Sequence, residues 1–267
     1  ARHVLKLLKG ELIDIYSLKK ETIKNSLYCV DIDYSATDIT KLRFWLSLIV
    51  DENNVEPLPN LDNNIMCGNS LIDTLNDIKL FNDSSIIFDK NDSQQSTLDF
   101  NTTIYKLKRI NELKNQYFDE KISMFKRKEK EEIENLKWEF LEESYSLNGG
   151  NYEDMKQYKH IDFKPFFVWE LEFSEVFADE NPGFDIIIGN PPYVSNKKIK
   201  KGDKKLKETY DEIYGIKDDL YNYFFLKSFD LLKDKGVLSF ITSNTYFTLS
   251  SKSNLRKLFQ NNKILEI

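Results

Sequence analysis

The 267-residue sequence has only two cysteines, Cys29 and Cys67, and two histidines, His3 and His160. The cysteines stand far apart, each inside a short apolar run, so they read as small core residues in a reducing compartment and not as a disulfide framework. Neither histidine has a Cys or His neighbour at metal-ligand spacing, which predicts no structural metal. Long hydrophobic runs are also lacking. No stretch approaches the roughly 20 apolar residues that cross a bilayer. The opening ARHVLKLLKG has neither the apolar core nor the small-residue cleavage site of a signal peptide, so the expectation is a cytoplasmic protein with no membrane partner. A positive surplus is missing too: the net charge of -6 argues against wholesale coating of nucleic acid and turns attention to local basic clusters. Finally, neither glycine nor proline occurs between Gly68 and Gly149, a window with nothing in it to interrupt long helices.

With 40% hydrophobic and 31% charged residues, the composition is that of a folding globular chain. Its length exceeds a typical domain of about 100 to 200 residues, which predicts one core plus an extra lobe. Apolar residues recur at helical spacing from Val4 to about Lys20, then Ser26 to Asp31 reads as a strand ending in acidic residues. Tyr34 to Val50 is helical, with Ser35 or Thr37 as its N-cap, and Asn64 to Cys67 is a brief strand leading into Gly68-Asn69-Ser70-Leu71. Asp73 to about Asn101 is polar and reads as an irregular connection. Ile104 to Tyr145, dense in Lys and Glu, reads as one long helix or a helical hairpin stopped by Asn148-Gly149-Gly150. It packs one stripe on the core or forms an arm facing a partner or DNA. Phe184 to Gly189 is an almost continuous apolar strand of the kind buried on both faces of a parallel sheet. Asp218 to Lys233 is helical, Gly236 to Thr242 is a second such strand, Lys252 to Phe259 is helical, and Lys263 to Ile267 starts another strand.

Strands alternating with helices predict an α/β fold with a doubly wound parallel sheet, interrupted by a helical insertion. The expected division is 1–72, 73–160 for the polar connection and insertion, and 161–267. In such sheets ligands sit beyond the carboxyl ends of the strands. One of those ends carries Asn190-Pro191-Pro192-Tyr193. The prolines hold Asn190 and Pro191 extended, so that the Asn190 side-chain oxygen and the Pro191 carbonyl offer two acceptors at fixed spacing to a planar NH2 group. Tyr193 adds a ring on which a flipped base can stack. Accepting both hydrogens returns electron density to an amine whose lone pair is delocalised, and no general base is obviously required. At the end of the first strand, Val30-Asp31-Ile32-Asp33 offers a carboxylate for a ribose diol, although an acidic residue there caps a helix equally well. Asn69 can face the edge of an adenine or simply form a turn. The basic run Lys197, Lys198, Lys200, Lys201, Lys204, Lys205 and Lys207 follows the tetrapeptide, either as a solvated flap or as a phosphate contact.

The ordered set Val30-Asp31-Ile32-Asp33, Cys67-Gly68-Asn69-Ser70-Leu71, Asn190-Pro191-Pro192-Tyr193, Asp219-Leu220-Tyr221 and Gly236 to Asn244 resembles the motifs of amino-methyltransferases acting on DNA adenine. The likeness is greatest to the methylase part of type IIG restriction-modification enzymes and related phage-defence methylases. It includes Trp169 to Phe177 ahead of the catalytic strand. The resemblance implies a Rossmann-like sheet of the S-adenosylmethionine-dependent methyltransferase type. Asp31 would bind the cofactor ribose, Ile32 its adenine ring, Asn69 the adenine amine, and Ser70 would complete the pocket. Asn190, Pro191, Pro192 and Tyr193 would hold a flipped adenine of double-stranded DNA. Two departures stand out: the family more often has Asp where Asn69 stands, and an aromatic in several members where Ser70 stands. The family's first strand and its glycine-rich loop would precede residue 1. Without them the expectation is that this chain alone binds the cofactor poorly and is completed by the rest of a parent polypeptide carrying a target-recognition region. Methylation of an RNA base or a protein glutamine, or a non-catalytic DNA-binding subunit of the same fold, are the alternatives.

Overall fold

A computed structural model describes residues 14–50, 59–81, 97–120, 122–159, 161, 163–177, 181–194, 219–248, 253–260 and 262–264. The chain forms two compact units, Ala1–Ser174 and Glu175–Ile267.

In the first unit, helix α1 (Ile15–Ser26) is capped by the Asp14 carboxylate and is followed by strand β1 (Cys29–Asp31) and helix α2 (Tyr34–Ile49). The α2 cap is Asp33, whose side chain accepts the Ser35 N–H, and not Ser35 or Thr37. A carboxylate one residue before the helix reaches the first free N–H groups while the hydroxyl residues are already inside the first turn. Strand β2 (Ile65–Cys67) pairs with β1 in parallel, Asp31 opposite Cys67, so both strands end at the same edge. The polar connection is not wholly irregular: β3 (Thr74–Leu75) and β4 (Ile78–Lys79) form an antiparallel hairpin turned at Asn76 and Asp77, both at positive φ. Asn and Asp tolerate that conformation. The reading of Lys263–Ile267 as a strand is not met at 263–264, and the rest of it lies outside the described residues.

Within the glycine-free window, two helices form a hairpin, α3 (Thr97–Asp119) and α4 (Ser123–Leu147), ended by Asn148 and by Gly149 at φ +89°, a left-handed position that glycine adopts without steric cost. One stripe of the hairpin, with Leu107, Ile110, Leu113, Ile133 and Leu141, packs into a core with Leu75, Leu80, Phe81, Val168 and Leu171. At its turn, Phe118 joins Ile23, Leu48, Leu61 and Ile65 in a second cluster. The hairpin therefore lies along its own unit. Both cysteines are half-buried and free, strand residues at the margin of the core and not in its centre.

In the second unit, β5 (Phe184–Gly189) pairs in parallel with β6 (Leu232–Phe240), and between them in sequence lies helix α5 (Leu220–Leu231). Leu238 and Phe240 on one face of this pair pack with Tyr221, Phe225 and Leu255. On the opposite face Ile186 is 63% exposed and Ile188 77%. Among the described residues the strand is thus covered on one side only, contrary to its apolar sequence, because the described strands and helices there leave the alternate side chains without a partner surface. Among the described residues the strands pair two by two, and no helix is long and apolar enough to cross a membrane.

Candidate active site and cofactor loop

On the first unit the parallel pairing brings Asp31 and Ile32 beside the loop at 68–72. The Gly68 N–H donates to the Asp31 carbonyl at 2.9 Å. The Asp31 carboxylate is exposed, and its Oδ1 accepts the Asp33 N–H at 2.8 Å, which fixes its direction. Helix capping and the expected ligand role are thus divided between two residues, Asp33 taking the first and leaving Asp31 available for the second. Ile32 is 64% exposed, an apolar side chain beside a carboxylate. The Cys67 thiol, 3.5 Å from the Ile32 carbonyl, is held above its ordinary pKa by burial and by the charges of Asp31 and Asp33.

Asn69 makes a turn: its Oδ1 accepts the Leu71 N–H at 3.3 Å and its carbonyl the Ile72 N–H at 3.2 Å. The side chain keeps Nδ2 as a donor and the second lone pair of Oδ1 as an acceptor. The Ser70 carbonyl accepts from Trp169 Nε1 at 2.9 Å. A Cβ at Gly68 would stand 2.5 Å from the Phe167 ring, so this close approach requires glycine. Phe167 and Trp169 were not among the expected site residues. Their signal was the aromatic density of residues 166–177, which gives no direction in space.

On the second unit, Asn190 follows β5 directly. Pro191 is buried, while Asn190, Pro192 and Tyr193 are exposed. The Tyr193 hydroxyl lies 3.2 Å from Asn190 Oδ1 and 3.0 Å from the Ile241 carbonyl, and the Leu220 N–H at the start of α5 donates to the Val194 carbonyl at 2.8 Å. The tetrapeptide is therefore tied to the end of β6 and to the helix that carries Asp219-Leu220-Tyr221. Beside it the Tyr221 hydroxyl meets Thr245 Oγ1 at 3.1 Å. The structure brings Asp31, Ile32, Asn69 and Ser70 together on one unit, and Asn190, Pro191, Pro192 and Tyr193 together on the other. Lys197, Lys198, Lys200, Lys201, Lys204, Lys205 and Lys207 lie outside the described residues. Among the described residues there is no cluster of three or more potential metal ligands.

A family model, Eco57I restriction-modification methylase, matches residues 25–267. Over 96% of its length the chain is 28% identical to the "Putative type II restriction enzyme and methyltransferase RM.MjaORFECS2P" of Methanocaldococcus jannaschii, of which it covers 25%. About a third of the chain is similar to two methyltransferases. It is 36% identical over 99 residues to "Type II methyltransferase M.HincII" of Haemophilus influenzae, covering 20% of it. It is 33% identical over 98 residues to "Type II methyltransferase M.BstVI" of Geobacillus stearothermophilus, covering 16%. The chain thus spans a quarter or less of the length of these relatives.

Proposed function

The chain belongs to the Eco57I restriction-modification methylase family, and from that premise we propose that it is the catalytic core of a site-specific DNA methyltransferase acting on the N6 amine of a flipped adenine, with S-adenosylmethionine as donor. The observation that carries the reading is Asn190-Pro191-Pro192-Tyr193 at the carboxyl end of a parallel strand, tied by Tyr193 and Val194 to the elements that follow. The fold that goes with it is the doubly wound, Rossmann-like sheet. Residues 1–72 form its cofactor side, 73–160 the insertion and 161–267 its catalytic part.

Asn190 Oδ1 and the Pro191 carbonyl accept the two amine hydrogens, which localises the lone pair on nitrogen as it attacks. Tyr193 stacks on the extruded base. The residues of the first unit fit an adenosine: a directed carboxylate at Asp31 for the ribose diol, exposed Ile32 for the ring face, and Asn69 with Ser70 at the ring edge. When bound, S-adenosylmethionine supplies an electrophilic methyl group. Holding amine and methyl in line is most of the catalysis, and the proton that nitrogen sheds passes to solvent.

The test is labelled-methyl transfer by the full-length protein onto unmethylated DNA, RNA and protein, with the modified residue identified after hydrolysis. N6-methyladenine in DNA is expected; label in RNA or glutamine, or in nothing, overturns the reading. Asn190→Ala is expected to lower turnover at least about 100-fold, near 3 kcal/mol, by removing hydrogen bonds made in the transition state. Cofactor affinity should stay within about twofold. The proposal extends to the lysine run as a phosphate contact, supported by its charge and its place in sequence directly after the tetrapeptide. Replacing three of these lysines should flatten the dependence of log affinity on log salt by about 0.9 for each phosphate that is no longer neutralised. An unchanged slope would assign the run to solvent.

A further inference from the structure

The helical hairpin is fastened to the segment ahead of the catalytic strand at several points. Glu172 closes the short helix Trp169–Glu172, and its carboxylate accepts from Lys137 Nζ of α4 at 2.7 Å while its carbonyl accepts from Lys114 Nζ of α3 at 2.5 Å. Ser174 Oγ donates to Asn111 Oδ1 of α3 at 2.6 Å. Leu171 is fully buried in the same cluster as Ile110, Leu113 and Ile133. The short helix is therefore an extension of the hairpin's packed face.

From that helix and the residues just before it, two contacts reach back about a hundred residues to the loop at 68–72. Trp169 Nε1 donates to the Ser70 carbonyl at 2.9 Å, and the Phe167 N–H donates to the Ile72 carbonyl at 2.6 Å. The Phe167 ring presses on Gly68. Phe167, Trp169 and Phe173 pack edge to face or tilted, with centroids 5.3 to 5.9 Å apart, and Phe173 meets Tyr28, the residue before β1, at 5.0 Å. The beginning and end of the loop are thus pinned from one side, and Asn69 and Ser70 stand between the pins.

We propose that Trp169 is a positioning residue of the cofactor pocket: its indole N–H on the Ser70 carbonyl carries the rigidity of the α3/α4 hairpin into the loop and fixes Asn69 and Ser70 for the adenosine. The proposal rests on the reading of Asp31, Ile32, Asn69 and Ser70 as the cofactor site. It gives the insertion a task, that of a brace for a loop which has no proline to stiffen it. A loop held before binding loses less freedom on binding, so releasing it weakens affinity without touching the reacting atoms. If the indole served packing alone, losing its N–H would alter stability and leave affinity where it was.

Trp169→Phe in the full-length protein keeps an aromatic ring and removes the N–H. Calorimetric titration with S-adenosylmethionine and with S-adenosylhomocysteine is expected to show Kd raised roughly tenfold for both. The KM for S-adenosylmethionine should rise in step, while kcat at saturating cofactor and KM for DNA stay within about twofold. Unchanged cofactor Kd in Trp169→Phe overturns the proposal, as does a fall in kcat at saturation equal to the rise in Kd. Asp31→Ala, measured alongside, separates the two readings. If it abolishes cofactor binding while Trp169→Phe changes nothing, only the positioning role fails. If Asp31→Ala binds as tightly as the unaltered protein, the pocket assignment fails and the positioning role with it.

Discussion

The loops at 68–72 and 190–194 both follow strands of parallel pairs and both carry candidate site residues, but they are made rigid by opposite means. The second carries most of its stiffness in its own covalent structure: two prolines in succession fix the backbone of Asn190 to Pro192, and short ties to Ile241 and Leu220 finish the work. The first has no proline and owes its shape to groups far away in sequence, Trp169 on Ser70, Phe167 on Ile72 and, behind them, Lys114 and Lys137 on Glu172. Rigidity that is local survives damage elsewhere in the fold. Rigidity that is borrowed fails when its remote supports are cut.

The largest effect that follows is at Lys137. Its ammonium is buried, 2.7 Å from Glu172 and 3.5 Å from Glu134, and although burial pulls its pKa down, the two carboxylates outweigh that and hold it above its ordinary value. Removing one member of a buried pair strands the other in a poorly solvated place, which costs on the order of 3 to 5 kcal/mol. Lys137→Ala is therefore expected to destabilise the first unit by about 3 kcal/mol in denaturant unfolding and to speed amide exchange at Leu71 and Ile72. Exchange at Ile241, bonded to the Gly189 carbonyl beside the tetrapeptide, should keep its native rate under conditions where both units are folded. Equal acceleration in both loops would erase the contrast.

The same contrast explains what the sequence disclosed. Asn190-Pro191-Pro192-Tyr193 was recognisable because its geometry is written in four adjacent residues, and its proline rings act within the backbone that they stiffen. The hairpin was recognisable because a window without glycine or proline, with apolar residues at helical spacing, has few other ways to fold. The Asn69 loop was legible from its residues only as either a ligand contact or a turn, and the residues that hold it were not legible at all. Nothing in Trp169 or Glu172 says which backbone carbonyl or lysine it will meet across the fold. The one-sided exposure of β5 was hidden for a related reason. An apolar strand specifies that it can be covered on both faces, whereas what covers it depends on elements elsewhere. The helix cap at Asp33 was a smaller miss, in which hydroxyl residues of the helix's first turn competed with a carboxylate at its border.

A smaller effect sharpens the comparison through pH. Asp62 sits where the hairpin meets the rest of its unit: its Oδ1 accepts from Lys41 at 2.7 Å, and its Oδ2 from Lys130 at 3.2 Å and from the Tyr117 hydroxyl at 3.1 Å. Burial pushes the carboxyl pKa up, but the Lys41 hydrogen bond and the charges of Lys41 and Lys130 more than reverse this and bring it to about 2. A carboxylate whose pKa is lower in the folded chain than in the unfolded one adds stability above its unfolded value, near 4. That stability is lost as the pH falls through the folded value. The shift alone sets a ceiling of about 2.5 kcal/mol. Because the side chain is 39% exposed, solvent screening reduces the expected contribution to about 1 kcal/mol. Asp62→Asn should thus be less stable than the unaltered protein by about 1 kcal/mol at pH 7, and the difference should shrink toward zero between about pH 4 and pH 2. Comparing the two proteins cancels the other acids of the unit whose pKa values are also lowered, Asp14, Asp119 and Glu134. A difference that stays constant from pH 7 to pH 2 would mean that the Asp62 charge does not fasten the hairpin to the rest of its unit. The support of the Asn69 loop would then have to come from the Glu172 side alone.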